Sequence, residues 1–209
     1  MSNTLTIEEA EQQDVEIGHI SITGYDCVKS NFSQLTRETQ RHVLEQIVRG
    51  KDDCEIVQTV HDAAASISVK DTDWDRIGIP QGLGQHISRE KAEQEDYYSW
   101  SKTGDHPQGE APRAAYFANK LLDVEFSEGD KPKRAAIAKG PSVNGTEIDV
   151  IAYNEAADLL DVDIHVDVQE MQRKCIERPL RDILDAFDIE PKPAMRGQCQ
   201  SQSGLSAFM

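Results

Sequence analysis

Gly50 stands between two amphipathic runs, and that spacing restricts the chain more than any other single feature. TRETQRHVLEQIVRG brings Val43, Leu44, Ile47 and Val48 onto one face at a helical period, with Ser33 or Thr36 as N-cap and Gly50 as the stop. A second helix starting at Asp52 or Asp53 carries Ile56, Val57, Val60, Ala64 and Ile67 on its inner face. Joined by so short a link, the two helices are expected to form an antiparallel αα-hairpin.

Around this hairpin the period changes several times. Residues up to about Asp14 have the composition of a loose arm. Ile17, Ile20, Ile22, Tyr25 and Val28 then alternate as in one or two short strands, turning near Gly24. IGIPQGLGQHI, with a proline and closely spaced glycines, cannot be a regular helix and is expected to be an ordered turn or a plain loop, its backbone N–H groups open to an anion in the first case. In the polar stretch that follows, Tyr97, Tyr98 and Trp100 either cover a small core or stack on a partner. PRAAYFANKLL is a helix with Pro112 in its first turn, and SEGDKPKRAAIAKG turns at Gly129 and Asp130 into a strand. Asn144-Gly145 marks a hairpin, and NEAADLL is a short helix.

A longer helix, DVQEMQRKCIERPLRDILDAF, sets Met171, Ile176, Leu180, Ile183, Leu184 and Phe187 on one face, and Pro179 inside it predicts a kink or two abutting helices. Pro191, Pro193, Gly197 and a Gln/Ser tract indicate a flexible C-terminal tail. The fold class expected is α+β: a mainly helical domain over residues 31–190 with a small antiparallel β hairpin or sheet, an arm and strands over 1–30, and the tail over 191–209.

Charge narrows the function. The chain has 22 Lys+Arg against 38 Asp+Glu, a formal net charge of -16, yet Lys131, Lys133, Arg134 and Lys139 follow one another with no intervening acid. Such a strip on an acidic protein suits a phosphate backbone, although ordinary surface lysines on a strand have the same composition. The acidic excess fits either partial disorder or adaptation to concentrated salt, and the persistent amphipathic periodicity favours salt. Cys27, Cys54, Cys175 and Cys199 form no C-x-x-C pair, so a zinc or redox motif is not expected, and isolated thiols fit a reducing cytoplasm. No apolar run reaches the length of a membrane span, and the acidic N-terminus does not have the form of a signal peptide. His42 and His61 lack a matching ligand cluster, and the carboxylates are dispersed, which disfavours a metal site, an independent glycosidase or a phosphatase.

The segments, taken in order, resemble the C-terminal end of a family B DNA polymerase of the archaeal and viral kind. ITGYDCVKSNFSQLTRETQRHVLEQIVRG is similar to the stretch that leaves the palm and enters the thumb. IGIPQGLGQHI is similar to a turn of that thumb, PRAAYFANKLL and GDKPKRAAIAKG to its next helix and strand, and QEMQRKCIERPLRDILDAF to the family's closing helix, which also carries a proline. The likeness runs over roughly residues 17–190. Lys29 stands where the family often has arginine. The family's metal-binding segments, of the types D-x-x-S-L-Y-P-S and Y-G-D-T-D-S, are not in this sequence.

The resemblance implies a thumb with a remnant of palm that wraps newly made duplex by its sugar-phosphate backbone and acts with palm and fingers supplied by another polymerase chain. By itself the chain lacks the catalytic carboxylates; no cofactor is expected in it, and Mg²⁺ belongs to the catalytic core it would join. The DNA-contact candidates are Lys29, Arg37, Arg113, Lys120, Lys131, Lys133 and Arg134. In the tail, Gln202, Leu205, Phe208 and Met209 are similar to the box that binds the sliding clamp (PCNA), with Met209 in place of the last aromatic. In that box one tight helical turn brings the aliphatic and aromatic residues to one side. The competing class is a stand-alone interaction protein that binds the clamp or DNA without serving a polymerase. No membrane partner is expected, and the location expected is cytoplasmic.

Overall fold

The computed structural model describes residues 29–84, 90 and 106–199. The strands expected within 1–28, the aromatics Tyr97, Tyr98 and Trp100, and the clamp-type box lie outside the described residues. The fold is α+β, helices with a small antiparallel sheet.

Helix α1 (Gln34–Val48) begins at Ser33, whose hydroxyl accepts the Thr36 N–H, and α2 (Asp53–Ala65) begins at Asp52, whose carboxylate accepts the Glu55 N–H. Gly50, at φ +65°, takes the left-handed conformation that ends α1, and the two helices pack on each other and bury Val43 on the first and Val57 and Val60 on the second. A short turn, α3 (Trp74–Ile77), leads into β1 (Ile79–Pro80), and α4 (Glu110–Leu121) buries Ala111, Ala114, Ala115, Phe117 and Ala118. The central strand, β2 (Lys133–Lys139), has β1 on one edge and β5 (Val150–Tyr153) on the other. Further along β2, across a register shift, β6 (His165–Val166) joins it. All four residues of β5 are buried, because α4 packs against a strand covered on both faces. A separate ribbon, β3 (Ser142–Val143) with β4 (Thr146–Glu147), turns at Asn144 (φ 51°) and Gly145 (φ 82°). That is the backbone an Asn-Gly hairpin requires.

The proline-containing helix is interrupted, as Pro179 predicts, by an irregular turn between two abutting segments. It runs as α5 (Val168–Gln172), a π turn (Arg173–Glu177) and α6 (Arg178–Asp185), with the Arg178 N–H reaching back to the Arg173 carbonyl. In a regular helix the Cys175 carbonyl would receive the N–H that Pro179 lacks. Here it accepts the Thr36 hydroxyl at 2.7 Å, and Gln40 Nε2 donates to the Pro179 carbonyl at 2.7 Å. Helix α1 therefore supplies the donors that help close the irregular turn. Thr36→Val, which keeps shape and loses the donor, is expected to cost about 1–3 kcal/mol while Thr36→Ser costs less. Equal urea midpoints for wild type and Thr36→Val would remove this role.

Three expectations are corrected. Phe187, placed on the inner face of the closing helix, is 44% exposed, because α6 ends at Asp185 and the chain turns away through Asp188 at φ 57°. The tail does not become loose at 191: α7 (Pro191–Met195) packs on α2, with Ala194 fully buried and the Met195 carbonyl 3.0 Å from His61 Nδ1. The thiols are not all isolated either, since Cys54 and Cys199 form a disulfide across 145 residues of sequence. Their sequence separation hid the pair, and the packing of α7 on α2 creates it. Cys175 is a buried free thiol, and desolvation pushes its pKa up to about 11, which leaves it inert.

Candidate nucleic-acid interface

The basic strand is less free than its sequence suggests. Lys133 Nζ lies 2.7 Å from Asp75 Oδ1, and this hydrogen bond from Lys133 is the largest influence holding the Asp75 carboxyl below its usual range. Arg134 turns inward to Glu110, and its side chain is only 16% exposed. Arg113 holds Asp149 with two bonds, Nε to Oδ1 at 2.9 Å and Nη2 to Oδ2 at 2.7 Å, and gives a third to the Gln108 carbonyl. The acids missing from the strip come from α3 and the start of α4, and the one that holds Arg113 precedes β5. Lys133, Arg134 and Arg113 thus tie the sheet to its neighbours, and any phosphate contact they make competes with an internal carboxylate.

The other four candidates are exposed: Lys29, Arg37, Lys120 and Lys131. Lys131 Nζ donates to Ser30 Oγ at 3.0 Å, so the chain at residues 29–30 lies against the entry to β2. This brings Lys29 and Lys131, 102 positions apart by subtraction of their numbers, to neighbouring places. Lys120 Nζ sits 5.9 Å from the centre of the Tyr116 ring, a contact that leaves the ammonium hydrated. Arg37 shares a surface cleft of about 310 Å³ with Gln34, Glu38, Arg41 and His42. Its neighbour Glu38 pairs with Arg76 at 2.8 Å.

The N–H groups that follow β1 do not wait for an anion. Gln81 N–H donates to the Pro132 carbonyl and Leu83 N–H to the Asp130 carbonyl, at 3.0 and 2.8 Å, which extends the pairing of β1 with the approach to β2. Gly78 is buried in this corner, where a Cβ would lie 2.5 Å from Tyr153 Oη and 2.9 Å from Lys133 Cβ.

Neither a protein-family model nor a curated protein matches this chain.

A second group of cations is built around the irregular helix. Glu110 Oε1 accepts from both Arg134 Nη1 and Lys174 Nζ. Burial pushes the Glu110 carboxyl up, but the Lys174 hydrogen bond and the charges of Arg134 and Lys174 outweigh it and hold the group below its usual range. These three residues and Arg178 border a cleft of about 370 Å³ opening beside Ser33 and Thr36. Sequence reading selected Arg134 here and missed Lys174 and Arg178. Their signal was present in QRKCIERPLR, where cations recur between the apolar positions by which the closing helix is recognised.

Among the described residues, no cluster of three or more His, Cys, Asp or Glu side chains is placed to hold a metal ion. No helix among them is long and apolar enough to cross a membrane.

Proposed function

We propose that the chain is a non-catalytic duplex-holding part of a family B DNA polymerase, with Lys29 and Lys131 at the centre of its contact with the DNA backbone. The observation that carries this reading is the hydrogen bond from Lys131 to Ser30. It joins the segment resembling the palm-to-thumb passage to the basic strand resembling the thumb, and the adjacent lysines are exposed on an otherwise acidic protein. Carboxylates elsewhere repel a polyanion, so this surface is the permitted approach. A phosphate contact needs only a hydrated cation within reach, without base-reading side chains.

Lys29→Ala/Lys131→Ala is expected to reduce the slope of log K against log salt by about 0.9 for each phosphate that is no longer neutralised. Lys133→Ala is expected to act chiefly on stability, because it leaves Asp75 without its partner. A double variant with wild-type slope on a primer-template duplex would sink the phosphate role. Catalysis is supplied by a separate palm and fingers chain with its Mg²⁺, so primer extension is expected only after such a core is added.

Gln202, Leu205, Phe208 and Met209 form the clamp contact in this reading. Truncation after Ser201 is expected to abolish binding to the sliding clamp and leave duplex affinity unchanged. Retained clamp binding would eliminate the box. Such a protein is expected to work in the cytoplasm, and the Cys54–Cys199 bridge is the feature that suits a reducing compartment least.

A further inference from the structure

We propose that the cleft between the start of α1, strand β2 and the π turn is a binding site for a tetrahedral phosphate oxyanion, held by Arg134, Lys174 and Arg178. The inference goes beyond the duplex-holding surface and stands on different side chains. Three cations and one carboxylate, Glu110, border a volume of about 370 Å³ in a chain of net charge -16, and Lys174 is also paired with Glu170 at 3.4 Å. Arg134 and Lys174 have side chains only 16% and 12% exposed, so their charges are poorly screened by water.

One donor is left over. Arg134 Nη1 reaches Glu110, whereas Arg134 Nε is buried and has no hydrogen-bond partner among the described residues. A buried guanidinium N–H without an acceptor is costly, so the Arg134 head group gains from a small shift that gives it an oxyanion acceptor in the cleft it lines. No ion pair forms between Arg178 and a carboxylate among the described residues, and its side chain reaches the same cleft from the exposed side. The Ser33 and Thr36 hydroxyls are already committed to each other and to the Cys175 carbonyl, which leaves the cations to provide the binding. Helix α1 starts here with no acidic residue in its first turn, so its N-terminal dipole adds to the same potential.

A divalent oxyanion matches this set better than a carboxylate does. It has enough oxygens for a guanidinium and an ammonium at once, and its charge offsets the cations that line the cleft. Glu110 is the built-in competitor, since it pairs with both Arg134 and Lys174.

The test is calorimetric titration of the full chain with inorganic phosphate at constant ionic strength, chloride being the balancing anion. Saturable binding is expected, weakened about tenfold or more in Arg134→Met and Lys174→Met. Arg178→Ala, at an exposed position, is the variant that keeps its fold and is expected to weaken binding as well. Glu110→Gln is expected to bind phosphate more tightly than wild type, a gain that a merely misfolded variant cannot produce. If a primer-template duplex displaces the phosphate, and Lys174→Met lowers duplex affinity, the bound group is a nucleic-acid phosphate. If the duplex and phosphate bind independently, it is a free phosphate oxyanion. Both results support the site, and either can occur whether or not Lys29 and Lys131 contact DNA. Absence of saturation, or affinity unchanged in Arg178→Ala and Glu110→Gln, overturns it.

Discussion

Opening the Cys54–Cys199 bridge is expected to lower the unfolding free energy by about 2–5 kcal/mol, toward the upper end because the closed loop is long. The bond spans 145 residues and joins the N-terminal turn of α2 to the segment following α7. Without it, α7 is held by Ala194, by the contact of its Met195 carbonyl with His61, and by the packing of Gly197 on the His61 ring. Those contacts are what seats the helix, because five residues of helix cannot hold themselves in water. Urea unfolding of Cys54→Ser/Cys199→Ser beside wild type measures the effect. The double variant is expected to lose protection from proteolysis around residues 191–199 before the αα-hairpin does. Identical midpoints, with the wild-type bridge verified by mass under non-reducing conditions, would deny it a stabilising part.

Phe117→Ala is expected to cost about 3–5 kcal/mol, because it removes a ring with no exposure from the contact of α4 with β5. Its neighbours do not close the space easily. The rings of Tyr116 and His106 lie 6.0 and 5.9 Å from it in tilted arrangements, and the alanines around it on α4 have no length to extend. The consequence reaches the functional surfaces, since α4 carries Glu110 to the cationic cleft, Arg113 to Asp149 and Lys120 to solvent. Phe117→Leu is expected to retain more of both stability and phosphate binding. A guanidinium titration in which Phe117→Ala keeps the wild-type midpoint would show that α4 is not seated through this ring.

The local elements were legible where one strong rule acted without competition. Asp52 and Ser33 cap helices as their chemistry demands, Gly50 ends α1, and Asn144-Gly145 turns a hairpin. Pro179 announced an irregularity, but its form depended on Thr36 and Gln40, 143 and 139 positions away by subtraction. The candidate interface was legible only as a list of cations. A lysine in a sequence carries no mark of whether a carboxylate will fold against it. Lys133 met Asp75, Arg134 met Glu110 and Arg113 met Asp149, while Lys120 and Lys131 stayed exposed.

By itself the sequence determined the helical hairpin, the α+β class, the acidic surface and the position of the basic strand. These follow from periodicity, capping, turn chemistry and composition, all of which act over a few residues or over the chain as a whole. Only the tertiary structure decided which cations are spent internally, that Cys54 meets Cys199, and that Arg134, Lys174 and Arg178 share one cleft. The physical reason is the same in each case: ion pairing, disulfide formation and convergent charge act over a few ångströms in space, between residues that the chain separates by tens of positions.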